Sequence, residues 1–140
     1  MPLQSPEIQA FATGFPITLL HAGMTIALLF LGALAYVMLT PHKEITLIRE
    51  GNAAAALSLG GVLVGLAIPL AVSLKASNST IEIAIWGVST VVVQLLVFRG
   101  VDAMLRGLPQ RIQDGEISAA VLLVGAKLAT ALILAAAVSG

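Results

Sequence analysis

Four long apolar runs divide the chain, and short segments between them hold most of the charged residues. The runs cover about residues 16–39, 53–74, 81–101 and 117–139. Each has 21–24 residues, and a helix needs about 20 residues to cross the hydrocarbon of a bilayer. Among the charged residues, only Glu82, Arg99 and Lys127 fall within these limits. The pattern predicts an all-α membrane protein with four transmembrane helices.

Composition agrees with a membrane environment. Charged residues make up 10% of the 140 residues and apolar residues 59%, whereas soluble domains have about 25% charged residues. So few charges cannot cover the outside of a water-soluble domain. The net charge of +0 argues against a nucleic-acid partner. The absence of Cys excludes disulfides and thiolate metal sites. Because charged residues are so few, membrane lipids are the expected surroundings of the chain.

The basic residues predict the orientation of the chain. Five of them lie in or beside the first and third connecting segments: Lys43, Arg49, Arg99, Arg106 and Arg111. The second segment has only Lys75, and residues 1–15 have no Lys or Arg. Because positive residues favour the cytoplasmic side, the first and third segments are expected there. Both termini are then periplasmic.

The two halves of the chain are similar when one is shifted by 64 residues. Segment Ile48–Ala71 aligns with Ile112–Ala135 without a gap, and Gly51 and Gly61 align with Gly115 and Gly125. We therefore predict a periplasmic segment, residues 1–15, followed by a tandem repeat of two-helix units. The units are residues 16–76 and 81–140. Units with the same topology are related by an axis along the membrane normal.

Small residues recur at matching positions of the second and fourth runs. Gly61 and Gly65 form a GxxxG pattern, and Gly125 and Ala129 occupy the equivalent positions. Small residues four apart let two membrane helices approach closely. They predict either a crossing of the two runs or a contact between subunits of a homo-oligomer. Pro69, in the second run, removes a backbone donor and predicts a kink.

Lys127 and Gln94 are the candidate intramembrane polar site. Lys127 lies ten residues into the fourth run, or about 15 Å at the helical rise, and a charge at that depth needs a partner, a cavity or loss of its proton. Gln94 lies at a similar depth and can accept a hydrogen bond from Lys127. No carboxylate lies clearly at that depth. This pair has two interpretations. It is a site for an ion, a proton or a lipid headgroup, or it has a structural role within the bundle.

Residues near the ends of the runs suggest more ordinary roles. Tyr36, Trp86 and Phe15 are expected to be anchors at the membrane interface. Arg99 and Asp102 are three apart and are expected to pair on one helix face. His21 and His42 lie at opposite ends, so they cannot share a metal within one chain. We expect no catalytic residue, metal or cofactor, and no enzymatic activity.

The first cytoplasmic segment contains a motif formed by Thr40, Pro41, His42 and Glu44. Thr40 is expected to cap a short amphipathic surface helix, with Pro41 in its first turn and Gly51 at its end. The third segment is similar but is expected to be interrupted by Pro109. These segments are interpreted either as a docking face for a cytoplasmic partner or as charged turns at the headgroups.

Two stretches resemble the YjfL-like inner-membrane proteins, the family called domain of unknown function 350 (UPF0719). One is Thr40-Pro41-His42-Lys43-Glu44 with the glycines and Pro69 that follow it. The other is Trp86-Gly87 followed by Val93-Gln94-Leu95-Leu96-Val97-Phe98. The resemblance extends from about Phe15 to the end. It implies a multi-pass inner-membrane protein made from a two-helix repeat, with no established reaction. Lys127 matches no feature of the family pattern.

Two hypotheses about function follow. The family's gene neighbours resemble phage-shock protein A and enzymes of polyamine metabolism, which implies a part in envelope or membrane-stress upkeep. The first hypothesis is a non-enzymatic, homo-oligomeric membrane module that presents its loops to a cytoplasmic membrane-stress protein. The alternative is a small channel or transporter for ions or polyamines, with Lys127 and Gln94 on the path.

Overall fold

The computed structural model describes residues 5–40 and 44–140, and the described residues are helical apart from short connections. Six helices follow one another: α1 (Pro6–Leu39), α2 (Glu44–Arg49), α3 (Ala53–Ala76), α4 (Thr80–Met104), α5 (Leu108–Gln113) and α6 (Ile117–Val138). Helices α1, α3, α4 and α6 are each long and apolar enough to cross a membrane. The prediction of an all-α protein with four membrane-spanning helices is confirmed.

Helix α1 begins ten residues before the predicted start of the first run. Ser5 caps it, because its side chain accepts a hydrogen bond from the backbone of Ile8, and Pro6 stands in the first turn. The first-turn carboxylate of Glu7 also favours a helix start. Pro16 lies inside the helix without ending it. Residues 6–15, which were predicted to lie in a periplasmic segment before the first helix, are therefore helical. Helix α1, with 34 residues, is longer than the hydrocarbon requires.

The two short helices end in the same way. Gly51 and Gly115 have φ of +90° and +85°, a conformation that glycine adopts without the steric cost of a side chain. Gly51 donates to the carbonyl of Ile48, and Gly115 donates to that of Ile112. The predicted stop at Gly51 is thus confirmed. Pro109 was expected to interrupt the third segment, but it lies in the first turn of α5, where a missing N–H costs nothing.

Part of the predicted loop motif falls where the structure gives no description. Pro41 and His42 lie outside the described residues, and α2 is described from Glu44 onward. Thr40 follows α1, its N–H donating to the carbonyl of Tyr36 and its hydroxyl to that of Val37. Thr40 was predicted to cap a surface helix that starts at Pro41. Because Pro41 and His42 lie outside the described residues, this role stays a prediction.

Helix α3 is the centre of the bundle and packs most extensively against α6, with further contacts to α1 and α4. One buried cluster joins α1, α3 and α4: Ala33, Tyr36, Val62, Leu66, Leu70, Val91, Leu95 and Phe98. A second joins α3, α5 and α6: Ala54, Ala55, Ile112, Ala119, Ala120 and Leu123. The small residues of the second cluster let α3 and α6 lie close together.

Two glycines of α3 allow close helix contacts. A methyl group on Gly61 would lie 2.5 Å from Cγ2 of Val124 on α6, and one on Gly65 would lie 2.6 Å from Cζ of Phe98 on α4. Both glycines therefore pack inside the single chain. Gly125 and Ala129 differ, because both are exposed on α6 and no atom would meet a methyl group on Gly125. A role for these two between chains stays a prediction.

Pro69 is buried within α3, and the helix continues past it to Ala76. The predicted kink at this position stays a prediction. The proline does contribute its ring to the packed interior of the bundle.

Candidate functional site

Lys127 is buried completely among the four long helices. Its Nζ lies 2.9 Å from Oδ1 of Asp102 on α4 and also donates to the hydroxyl of Tyr36 on α1. Helical side chains lean toward the N-terminus of their helix. The long side chain of Lys127 therefore reaches from the middle of α6 toward the loop end of the bundle, where Asp102 lies.

Tyr36 connects the two charged groups. Its hydroxyl donates to Oδ2 of Asp102 at 2.6 Å and accepts from Lys127, which uses both the donor and the acceptor capacity of a phenol. The side chain is 1% exposed. The expectation that Tyr36 is an interfacial anchor was wrong, because the hydroxyl is satisfied inside the protein rather than by water or headgroups.

Aromatic rings surround the ammonium group as well. The Lys127 Nζ lies 4.5 Å from the centre of the Tyr36 ring and 5.6 Å from that of Phe98. The two rings meet edge to face with 6.1 Å between their centres. A cation near the face of a ring is attracted by its negative charge density. We call Tyr36, Asp102 and Lys127 the buried triad.

Arg99 links the buried triad to the surface. Its guanidinium lies 3.7 Å from Oδ2 of Asp102, and its side chain is 40% exposed. The predicted Arg99–Asp102 pair is confirmed. The carboxylate of Asp102 thus faces two cations, one buried and one at the edge of the bundle.

Glu44 of α2 lies beside the buried triad and is 4% exposed. Burial raises the pKa of Glu44 to about 7, an effect that Asp102 reinforces and Lys127 opposes. Its Oε2 accepts no hydrogen bond from the described residues. With Tyr36, Ser58 and Asp102 it lines a cavity of about 10 Å³, which is near the smallest size that holds one water.

The structure does not join Lys127 to Gln94 by a hydrogen bond. Gln94 is fully buried on α4, and its Nε2 donates instead to the carbonyl of Gly65 at 3.4 Å. Lys127 has its polar contacts with Asp102 and Tyr36. The sequence predicted no carboxylate at the depth of Lys127, and the carboxylate that the lysine side chain reaches, Asp102, belongs to the loop end of α4.

Sequence reasoning missed Asp102 and Tyr36 because it compared backbone depths only. Lys127 carries a long side chain that points toward the start of its helix. A partner should have been sought nearer the loops, among the polar side chains at the loop ends of α1 and α4. Asp102 is the acidic residue at the loop end of α4 and satisfies that condition.

At the other end of the bundle, a single polar contact joins α1 and α4. Nε2 of His21 lies 3.0 Å from the hydroxyl of Thr80. His21 therefore takes part in the packing of α1 against α4, whereas His42 lies outside the described residues.

Four helices long and apolar enough to span a bilayer, two of them joined by a buried ion pair, define an integral membrane protein of the multi-pass class. The family described as Domain of Unknown Function (DUF350) matches residues 10–138, and the chain belongs to it. The chain is 35% identical over 107 residues to the UPF0719 inner membrane protein YjfL of Escherichia coli strain K12, covering 76% of this chain and 80% of that protein. The protein of the same name in Escherichia coli O157:H7 matches equally. No solved structure matches the chain significantly.

The family resemblance noted in the sequence is thereby confirmed, and the chain is a multi-pass protein of the inner membrane. The family description states no activity. Any account of function must therefore begin from the geometry of this chain.

Proposed function

We propose that this protein is a non-enzymatic, homo-oligomeric module of the inner membrane. The observation that carries the proposal is the burial of Lys127, whose ammonium group is bonded to side chains of two other helices. A cation held in this way ties helices together. Its contacts are those of a structural element rather than those of a group awaiting a substrate.

The exposed face of α6 supports the oligomer. Gly125 and Ala129 are four residues apart and both are exposed in the single chain. Small residues at this spacing let a second helix approach the backbone in lipid. We therefore assign Gly125 and Ala129 to a contact between two copies of the chain, while Gly61 and Gly65 pack within each copy.

The oligomer test is the native mass of the tagged protein in lipid nanodiscs. The variant Gly125→Leu with Ala129→Leu is expected to reduce the oligomer to a smaller species. Gly100→Leu is the matched control, because Gly100 is exposed on α4 and a side chain there meets no atom. An unchanged mass in the double variant would remove the support for this interface.

We further propose that the chain consists of two repeated two-helix units and that both of its termini lie in the periplasm. Gly51 and Gly115, which are 64 residues apart in the sequence, have the same left-handed conformation after short helices. The residues that follow them, Asn52 and Glu116, stand at the N-cap positions of α3 and α6, although only the Asn52 side chain accepts a capping hydrogen bond. Equivalent local structure at equivalent positions supports two repeated units, with α2 and α5 on the cytoplasmic side.

Helices α2 and α5 are the proposed contact surface for a cytoplasmic partner in envelope or membrane-stress upkeep. They carry exposed Arg49 and Arg111 at one end of the bundle. Purification from native membranes in nanodiscs tests this part of the proposal. A cytoplasmic protein that co-purifies with the intact chain and is lost when α2 and α5 are neutralised would support it, and a bare oligomer would count against it.

The second candidate is a small channel or transporter for ions or polyamines. The observation that favours it is the connection from Lys127 through Asp102 to the exposed Arg99, with Gln94 buried farther along α4. A path requires water at Lys127. The chain has no native Cys, so the reactivity of a single introduced thiol measures water access directly.

The first candidate expects Lys127→Cys to resist a water-soluble thiol reagent. Met104→Cys is the control, because Met104 is 84% exposed at the end of α4. Rapid labelling at position 127 together with ion or polyamine flux in proteoliposomes would favour the second candidate over the first.

A further inference from the structure

An open cleft lies at the loop end of the bundle, beside the buried triad but outside it. It has a volume of about 310 Å³, and its walls come from the end of α4 and the start of α5. Arg99, Arg106 and Gln110 supply its hydrogen-bond donors, and Ala103 and Pro109 supply apolar wall. These groups suit a ligand that is anionic on one side and apolar on the other.

The charge of the cleft is positive. Asp102 also lines it, but this carboxylate faces two cations, Lys127 at 2.9 Å and Arg99 at 3.7 Å, and it cannot neutralise both. Arg106 is exposed, and no described residue forms an ion pair or hydrogen bond with it. The carbonyl end of α4 contributes only about half a negative charge. Two guanidinium groups therefore outweigh the negative groups around them.

The cleft stands at the depth of lipid headgroups. Arg99 is 19 residues after Thr80, where α4 begins, which places it about 29 Å along the helix. The hydrocarbon core is about 30 Å thick. Arg99 and Arg106 thus lie at and beyond the boundary between acyl chains and headgroups.

One face of α4 continues from the cleft into the hydrocarbon. Val92, Leu96, Arg99 and Ala103 follow one another at spacings of three and four residues, which places them on a single helix face. Val92 and Leu96 are 51% and 69% exposed. An acyl chain lying along this apolar stripe would bring its phosphate to the two arginines.

We propose that this cleft binds the phosphate group of an anionic phospholipid, with Arg99 and Arg106 as its ligands. Guanidinium groups match phosphate oxygens with paired hydrogen bonds. Basic pockets between membrane helices at this depth are suited to anionic headgroups. The site belongs to one chain and is independent of the oligomer proposed above.

The test uses the full chain in nanodiscs of phosphatidylcholine containing a small fraction of phosphatidylglycerol, with bound lipid counted by native mass spectrometry. Arg106→Gln is expected to weaken phosphatidylglycerol binding about fivefold, the effect of one basic residue at an anionic surface. Arg49→Gln is the matched control. It removes the same charge from an exposed position at the same end of the bundle, but outside the cleft.

Inorganic phosphate distinguishes the two sources of the ligand. Failure of phosphate to displace phosphatidylglycerol would support a lipid site in which the acyl chain contributes. Displacement by phosphate alone would overturn the lipid assignment and identify a site for the free anion. Equal lipid retention by Arg106→Gln and Arg49→Gln would overturn the site itself. Because Arg106 makes no ion pair or hydrogen bond with any described residue, its replacement leaves the folded structure available for the measurement.

Discussion

At the scale of single residues, the buried triad decides what Lys127 does. An isolated charge near the middle of a bilayer costs at least about 2.5 kcal/mol. Asp102 and Tyr36 offset this cost because both lie within hydrogen-bonding distance of the ammonium group. Such a pair adds little net stability compared with apolar residues of similar size. Its effect is to specify which faces of α1, α4 and α6 meet.

We expect Asp102→Asn to lower the free energy of unfolding by about 3–5 kcal/mol, because it leaves the charge of Lys127 buried without a counter-charge. The double variant Asp102→Leu with Lys127→Met is expected to lose less free energy of unfolding than Asp102→Leu alone or Lys127→Met alone, since neither partner is left as a buried, unpaired charge. Denaturation in mixed micelles measures both. A double variant as unstable as the sum of the single variants would contradict the ion-pair interpretation.

Glu44 predicts a pH dependence of stability. Its pKa in the folded protein, about 7, is above the ordinary value of 4.5, so the folded state binds the proton more tightly than the unfolded state. The free energy of unfolding is therefore expected to fall as the pH rises from about 4.5 to about 7, by at most about 3 kcal/mol.

Glu44→Gln is the matched variant for this prediction, since it keeps the size of the side chain and cannot ionise. Unfolding in mixed micelles across the same pH range should show a flatter profile for Glu44→Gln. Glu50→Gln serves as the control, because Glu50 is exposed on the same segment. If Glu50→Gln flattened the profile as much as Glu44→Gln, the assignment to Glu44 would fail.

At the scale of helices, α3 fits its neighbours because glycines leave room for larger side chains. Val124 lies against Gly61, and the ring of Phe98 lies against Gly65. Phe98 is also fully buried and meets Tyr36 edge to face. The position of Phe98 beside the buried triad thus depends on the absence of a side chain at Gly65.

Two neighbouring glycines of α3, Gly60 and Gly61, should respond differently to replacement by alanine. Gly61→Ala is expected to destabilise the protein by about 1–3 kcal/mol, because Val124 is branched at Cβ and cannot bend away from the new methyl group. Gly60→Ala meets no atom and should be neutral or stabilising by up to about 1 kcal/mol. Thermal unfolding in detergent measures both, and a similar loss in the two variants would contradict the described contact between α3 and α6.

At the scale of the whole molecule, the distribution of charge predicts how the chain lies in the membrane. Arg49, Arg106 and Arg111 lie in the segments that join the spanning helices at one end of the bundle. Lys75 lies in the last turn of α3, at the other end. Positive residues favour the cytoplasmic side, so the loop end with α2 and α5 is expected to face the cytoplasm.

Single introduced thiols test this orientation, since the chain has no native Cys. An impermeant thiol reagent added to intact cells should label Ser5→Cys and Ser139→Cys through the permeable outer membrane. Asp114→Cys should be labelled only after the inner membrane is opened. Labelling of Asp114→Cys in intact cells would reverse the proposed topology.

The sequence by itself determined the class of the protein and the number of its spans. Runs of apolar residues longer than about 20 leave few alternatives to membrane helices, and Gly51 marks the end of α2 because few other residues adopt its conformation. These features are local, so neighbouring residues are enough to establish them. Family membership could also be recognised from two short motifs.

Only the tertiary structure decided the partners of the polar side chains. Asp102 and Lys127 are 25 positions apart and Tyr36 is farther still, so no local pattern relates them. Their meeting depends on how α1, α4 and α6 rotate about their axes, and for α4 and α6 close packing against Gly65 and Gly61 of α3 contributes to that rotation. Backbone depth alone favoured Gln94 as the partner of Lys127, whereas the length and direction of the lysine side chain select Asp102.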